Sequence, residues 1–201
     1  MTFGKILVAL DGSASGQIAV DYAFWLADKL DASLTAQHVV DERLVQYFVD
    51  PEFGKALGLN SVQETEKRVF NALRKIGNTV LQLFREEAVQ RAMDVSTALD
   101  EGRVVERILQ YSSKFDLLVI GHHGKDDTKL SDPMPLGSVA ERVVLGAHIP
   151  VLIALKPLTQ IQQVIVAYDG SEAARGALLM SENFAKRIGA KLTEIFSNVV
   201  F

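Results

Sequence analysis

The sequence contains no cysteine. Disulfides, thiolate metal sites and cysteine nucleophiles are therefore excluded, and a reducing compartment suits that absence. Long hydrophobic runs are missing as well: no stretch approaches the roughly 18 apolar residues that read as a membrane-spanning helix. The opening segment, MTFGKILVALDGS, has a short apolar run that ends at Asp11 and lacks the length and cleavage site of a signal peptide. A soluble, cytoplasmic protein without membrane contact is expected. An excess of positive charge is also absent. With 21 Lys and Arg against 25 Asp and Glu, the net charge is -4, which leaves no broad basic face for nucleic acid. A small anionic ligand stays open, because one helix N-terminus can hold a phosphate without net positive charge. Neither a G-x4-GK-[ST] phosphate loop nor a recognisable Ser-His-Asp motif occurs, so no catalytic residue is assigned.

What is present is a core. The chain has 201 residues, 48% of them hydrophobic, enough for one good-sized domain or for a domain and a fragment. Residues 5–10 (KILVAL) form an apolar run of strand length, of the kind buried on both faces in a parallel sheet. Asp11-Gly12-Ser13 breaks it. From Ser15 to Leu30, Ile18, Ala19, Tyr22, Ala23, Leu26 and Leu30 recur at helical spacing, with Trp25 beside them as a core residue. Residues 34–40 read as a second strand, and 41–60 as a long irregular stretch. A long helix follows, with an apolar stripe of Val62, Val69, Leu73, Ile76, Val80, Leu83, Phe84 and Ala88; the charges on 63–91 form its solvated face. Strands are expected at 94–99, 115–120 and 150–155, with helices opening at Gly102 and Ser138. The alternation β-α-β-α-β-α-β-α-β implies an α/β fold: an open parallel sheet with helices on both faces.

The start of the chain then recurs. Residues 163–170 (QVIVAYDG) echo 5–12, and an offset of 158 aligns Asp11-Gly12-Ser13 with Asp169-Gly170-Ser171, with ten identities in about 35 positions. The expected organisation is a complete domain over 1–156, a linker at 156–160, and an incomplete β-α-β copy over 162–201. The apolar residues of that copy need cover, since so small a unit buries too little area alone.

In open α/β sheets, ligands bind beyond the carboxyl ends of the strands, where the strand order reverses. Two segments meet that description: Asp11-Gly12-Ser13, and the loop GHHGKDDTKLSDPMPLGS at 121–138. Gly121 and Gly124 allow close approach of backbone to a ligand and accept positive φ. Gly137-Ser138 opens a helix whose free N–H groups suit a phosphate. The plainer readings are that Asp11 caps the following helix and that the glycines serve a tight turn. His122 and His123, with Asp126 and Asp127, invite a metal site, but adjacent histidines point in different directions, and no protein-ligated metal is expected.

The Asp11-Gly-Ser turn, His38-Val-Val-Asp41 at the end of the second strand, and LLVIG-x2-G leading to GSVAERV-x5-PV-x-I together resemble the universal stress protein family over residues 3–155, and again over 162–201. That resemblance implies a five-stranded sheet of order 3-2-1-4-5. It also implies a nucleotide-binding branch with the pattern G-x2-G-x9-G-[ST]; here the second spacer has twelve residues, three more, and holds Asp126, Asp127 and Asp132. By the same resemblance Asp11 lies near adenine or ribose, Ala9 and Val39 present backbone to the base, and Gly121, Gly124, Gly137, Ser138 and Val139 surround ribose and phosphates. ATP is the implied ligand, with Mg²⁺ arriving on its phosphates. The implied function is a stress-response binding module that acts through a homodimer. The alternatives are an interaction protein without nucleotide, and slow ATP hydrolysis, for which no positioned base and no cation beyond Lys125 is apparent.

Overall fold

The computed structural model describes residues 3–48, 62–123 and 138–196. Five strands form one parallel sheet: β1 (Lys5–Ala9), β2 (Ser33–Asp41), β3 (Val95–Gly102), β4 (Leu117–Gly121) and β5 (Val151–Ala154). Their order is β3-β2-β1-β4-β5, so the chain winds outward from β1 in one direction and returns to pair β4 on its other side. Ile6 is opposite Leu34 on β2 and Leu117 on β4. The centre of the sheet is apolar throughout, because both faces are covered: Ile6, Leu7, Val8, Leu118 and Val119 are all fully buried.

The connecting helices are α1 (Ala14–Leu30), the short α2 (Glu42–Phe48), α3 (Val62–Gln90), α4 (Val104–Ser112) and α5 (Ser138–Gly146). One core lies between the sheet and α1 and α3, around Ile6, Val8, Phe24, Leu26, Leu81 and Phe84. The second, smaller core lies on the other face, where Leu7, Leu118 and Ile120 meet Ile108 of α4 and Ala140 and Val143 of α5. Each large side chain so buried contributes about 1.5–3 kcal/mol relative to exposure. Trp25 packs partly buried against the first core.

Several local readings are corrected. Residues 42–48, expected to be irregular, form α2. The buried line of α3 is Gly77, Leu81, Phe84 and Ala88, whereas Leu83 is 60% exposed and Ile76 47%. Leu83 and Phe84 are adjacent, 100° apart around the helix, so only one of them can face the sheet. Gly102 ends β3 rather than opening α4, with φ at 134°.

The chain continues as β6 (Gln163–Tyr168), α6 (Glu172–Ile188) and β7 (Lys191–Phe196), with β6 and β7 in a separate two-stranded parallel sheet. Its register repeats the first: Lys5 faces Ser33, and Gln163 faces Lys191, both 158 positions on. The turns match as well. Ser13 and Ser171 each cap their helix from the side chain, and Gly12 and Gly170 both hold positive φ, 74° and 83°. The unit packs on the first core through Met180, Phe184 and Ile188. Phe184 meets Phe3 edge-on at 5.8 Å, and the Arg187 guanidinium donates to the Leu30 carbonyl at the end of α1.

Candidate functional site

The carboxyl ends of β1 and β4 diverge where the strand order reverses, and a cleft of about 560 Å³ opens there. Ala9 and Asp11 line it from the end of β1, Val39 from β2, Gly121 from β4, and Ser138 and Val139 from the first turn of α5. Gly124 and Gly137 lie outside the described residues, as do Asp126, Asp127 and the greater part of the loop between them.

The Asp11 turn is built differently from a simple cap. Ser13 is the N-cap of α1, its hydroxyl accepting from Gly16 N–H at 3.0 Å. Asp11 Oδ1 accepts from Ser13 N–H at 2.9 Å, which closes the turn that Gly12 makes possible. Gly16 allows the carboxylate to lie close: a Cβ there would stand 2.9 Å from Asp11 Oδ1. Asp11 thus reaches the cleft from a fixed turn while Ser13 holds the helix.

Gly121 also has a different reason from the one expected. It is the last residue of β4 and is not among the glycines of positive φ. A Cβ on it would lie 2.6 Å from the Ser15 carbonyl oxygen, so the glycine lets β4 end against the first turn of α1. The contact continues into the loop, where His123 N–H donates to Ser15 Oγ at 3.1 Å. The two chain segments of the site are therefore hydrogen-bonded to each other. The rings of His122 and His123 lie 3.9 Å apart between centroids, tilted by 47°.

Sequence reasoning missed the residues that give the cleft its charge and its walls. Arg43 of α2 and Arg142 of α5 both line it, which corrects the expectation of no cation beyond Lys125. Arg43 grips Asp41, at the end of β2, at 2.6 Å. Arg142 Nε donates to the Ser138 carbonyl at 2.9 Å. Burial by itself raises the pKa of the Asp41 carboxyl; hydrogen bonds from Arg43 and the charges of Arg43 and Arg142 outweigh it and hold the group below the ordinary carboxylate value. Leu44, Leu73 and Ile76 form an apolar stretch of the wall, and Gln37, His38 and Ile108 complete the floor. Arg142 has a sequence signal, standing on the face of α5 one turn beyond Ser138. Arg43 has none, because its place depends on α2.

With this geometry in view, comparison with known proteins decides the lineage. The family model described as the universal stress protein family matches residues 2–154. The chain belongs to that family. The universal stress protein MJ0531 of Methanocaldococcus jannaschii is 30% identical over 157 residues, covering 77% of this chain and 84% of that protein. The universal stress protein YxiE of Bacillus subtilis is 30% identical over 154 residues, covering 75% and 98%. Among solved structures, universal stress protein UspA from Lactobacillus plantarum superposes with a TM-score of 0.63 at 21% identity, covering 77% of this chain and 99% of that one. A universal stress protein from Archaeoglobus fulgidus DSM 4304 gives 0.63 at 19% identity, covering 98% of this chain and 68% of that one. These superpositions show the universal stress protein fold, with its sheet order. Among the described residues, no helix is long and apolar enough to cross a membrane.

Proposed function

We propose that this universal stress protein is a cytoplasmic binding module for an adenine nucleotide, ATP with its Mg²⁺, held in the cleft between β1 and β4. The observation that carries the reading is the convergence of Ala9, Asp11, Val39, Gly121, Ser138 and Val139 on one cleft at the strand-order reversal. The chemistry of the lining is graded to match. The apolar stretch of Leu44, Leu73 and Ile76, with Val39 and Ile108, suits a flat base. The first turn of α5, beside Arg43 and Arg142, suits phosphates. Asp11 is in reach of a ribose hydroxyl. The roles of Gly124 and Gly137 in the same loop follow from the family resemblance.

Occupancy of this cleft would act through association rather than turnover. Residues 162–196 leave Ile165, Leu179, Ile195 and Phe196 more than half exposed. Such a surface supports a homodimer. Nucleotide binding is tested by mass spectrometry of small molecules released from freshly purified protein, with titration of ATP into wild type and Val139→Asp. The added carboxylate suits a helix N-terminus but repels phosphate, so the variant is expected to fold and to lose ATP. Equal affinity in the folded variant, or no binding by wild type at millimolar ATP, overturns the reading.

A further inference from the structure

Gln37 stands in the middle of β2 on the floor of the cleft, and it is 1% exposed. A buried polar side chain in a parallel sheet needs partners for all its hydrogen-bonding groups. Gln37 has them on one side only. Its Nε2 donates to Asp100 Oδ2 of β3 at 2.6 Å and to the Arg107 carbonyl of α4 at 3.4 Å. Among the described residues, its Oε1 has no partner.

That arrangement is directional. An amide group can turn over, but here the reversed orientation would point Oε1 at a carboxylate and a carbonyl, both acceptors only. Asp100 and Arg107 therefore lock the group with both of its hydrogens engaged and its oxygen left over. The backbone cannot swing away either, since the Gln37 carbonyl accepts from Leu10 N–H at 2.8 Å. Its neighbours across the sheet are the small residues Ala9 and Ala98, and Ala9 lines the cleft beside it. The residual chemistry at this point is a single fixed acceptor, unsatisfied and screened from bulk water, beside the residues assigned to the base.

From this we infer that Gln37 is a specificity residue: its Oε1 accepts a hydrogen bond from the exocyclic amine of the base and selects a 6-amino purine over a 6-keto purine. The inference rests on the nucleotide reading of the cleft. A 6-amino group offers the hydrogen that Oε1 lacks. A 6-keto oxygen would set two acceptors face to face, and a purine without a 6-substituent would leave Oε1 as it is. Sites built to pair a donor discriminate against ligands that lack it, because the buried group is then left without a partner.

The test compares three triphosphates by titration calorimetry on the full chain: ATP, purine riboside triphosphate, which has no 6-substituent, and inosine triphosphate. Wild type is expected to bind ATP about tenfold or more tightly than purine riboside triphosphate, the scale of one buried hydrogen bond, and inosine triphosphate more weakly still. Gln37→Leu is expected to bring the ratio of the ATP and purine riboside triphosphate affinities close to one. Gln37→Met serves if the leucine variant does not fold, and the wild-type ratio needs no variant at all. Equal binding of ATP and purine riboside triphosphate by wild type, or an unchanged ratio in a folded variant, overturns the inference and leaves the nucleotide reading standing. Failure of wild type to bind any of the three overturns both.

Discussion

The ring of His38 lies directly against Gly77 in the middle of α3: a Cβ built on that glycine would stand 2.5 Å from His38 Cδ2 and 2.7 Å from Leu99 Cδ1. His38 Nδ1 is 2.8 Å from the Leu10 carbonyl, which can only accept, so the ring donates and is fixed from both sides. Glycine inside a helix costs about 0.5–1 kcal/mol relative to alanine. Here it is the residue that lets the longest helix lie on β2 beside the cleft. Gly77→Ala is therefore expected to destabilise by about 1–2 kcal/mol despite the better helix former, because the ring cannot move without breaking its hydrogen bond. Urea denaturation measures it. Gly176→Ala is the control: it sits in α6 with nothing within 4 Å of the added methyl, and a gain of about 0.5–1 kcal/mol is expected there.

Gly121→Ala meets backbone rather than a side chain, with the Ser15 carbonyl oxygen at 2.6 Å. Either β4 or the start of α1 has to shift. A loss of about 1–3 kcal/mol is expected, together with faster amide exchange at His123, whose N–H depends on Ser15 Oγ. An unchanged midpoint would mean that the two segments are not held as closely as described.

Asp41 makes an acid-sensitive element. Its carboxyl is held below its ordinary value in the folded state, burial being outweighed by Arg43 and Arg142. The folded protein thus takes up this proton less readily than the unfolded chain. The stabilisation is fully present above the unfolded value of about 4 and is lost as pH falls through the lower folded one. Wild type is expected to be more stable than Asp41→Asn at neutral pH, and the gap should close in strong acid. A gap that widened on acidification would reverse the assignment.

Phe184 tests the docking of the second unit. It is partly buried and meets Phe3 edge-on. Phe184→Ala is expected to cost about 1–3 kcal/mol, below the 3–5 typical of a fully buried ring, and to uncover Phe3 to an apolar dye. A chain ending at Lys156 should show the same dye signal. If neither does, the unit lies on the first domain without contributing to it.

The sheet was legible because its strands are short apolar runs set between amphipathic stretches. Its parallel character follows from that alternation, and its order came from the family motifs. The cleft was legible in the same way at Asp11 and Ser138, which sit at ends of elements that can be recognised locally, whereas Val39 came from the family resemblance. Arg43 was not legible: nothing in residues 41–60 signals α2, and without that helix no residue there has a direction. The stripe of α3 was misread because Leu83 and Phe84 are both apolar and only packing against the sheet selects between them. Gln37 looked like an ordinary polar residue in a strand until its two donors were found engaged and its acceptor left over.

The pairing of β1 with β4 also sets the order in which the molecule can assemble. Lys5 N–H shares the Asp116 carboxylate with Gly4 N–H across 111 positions of chain, whereas β1 finds β2 almost at once. At about 5–20 residues per second on the ribosome, the β4 side of β1 waits about 5–20 s for its neighbour. During that interval a largely apolar strand has one open edge, which is the condition under which strands pair with the wrong chain. The cleft, which needs β4 and α5, is therefore among the last parts of the five-stranded unit to exist.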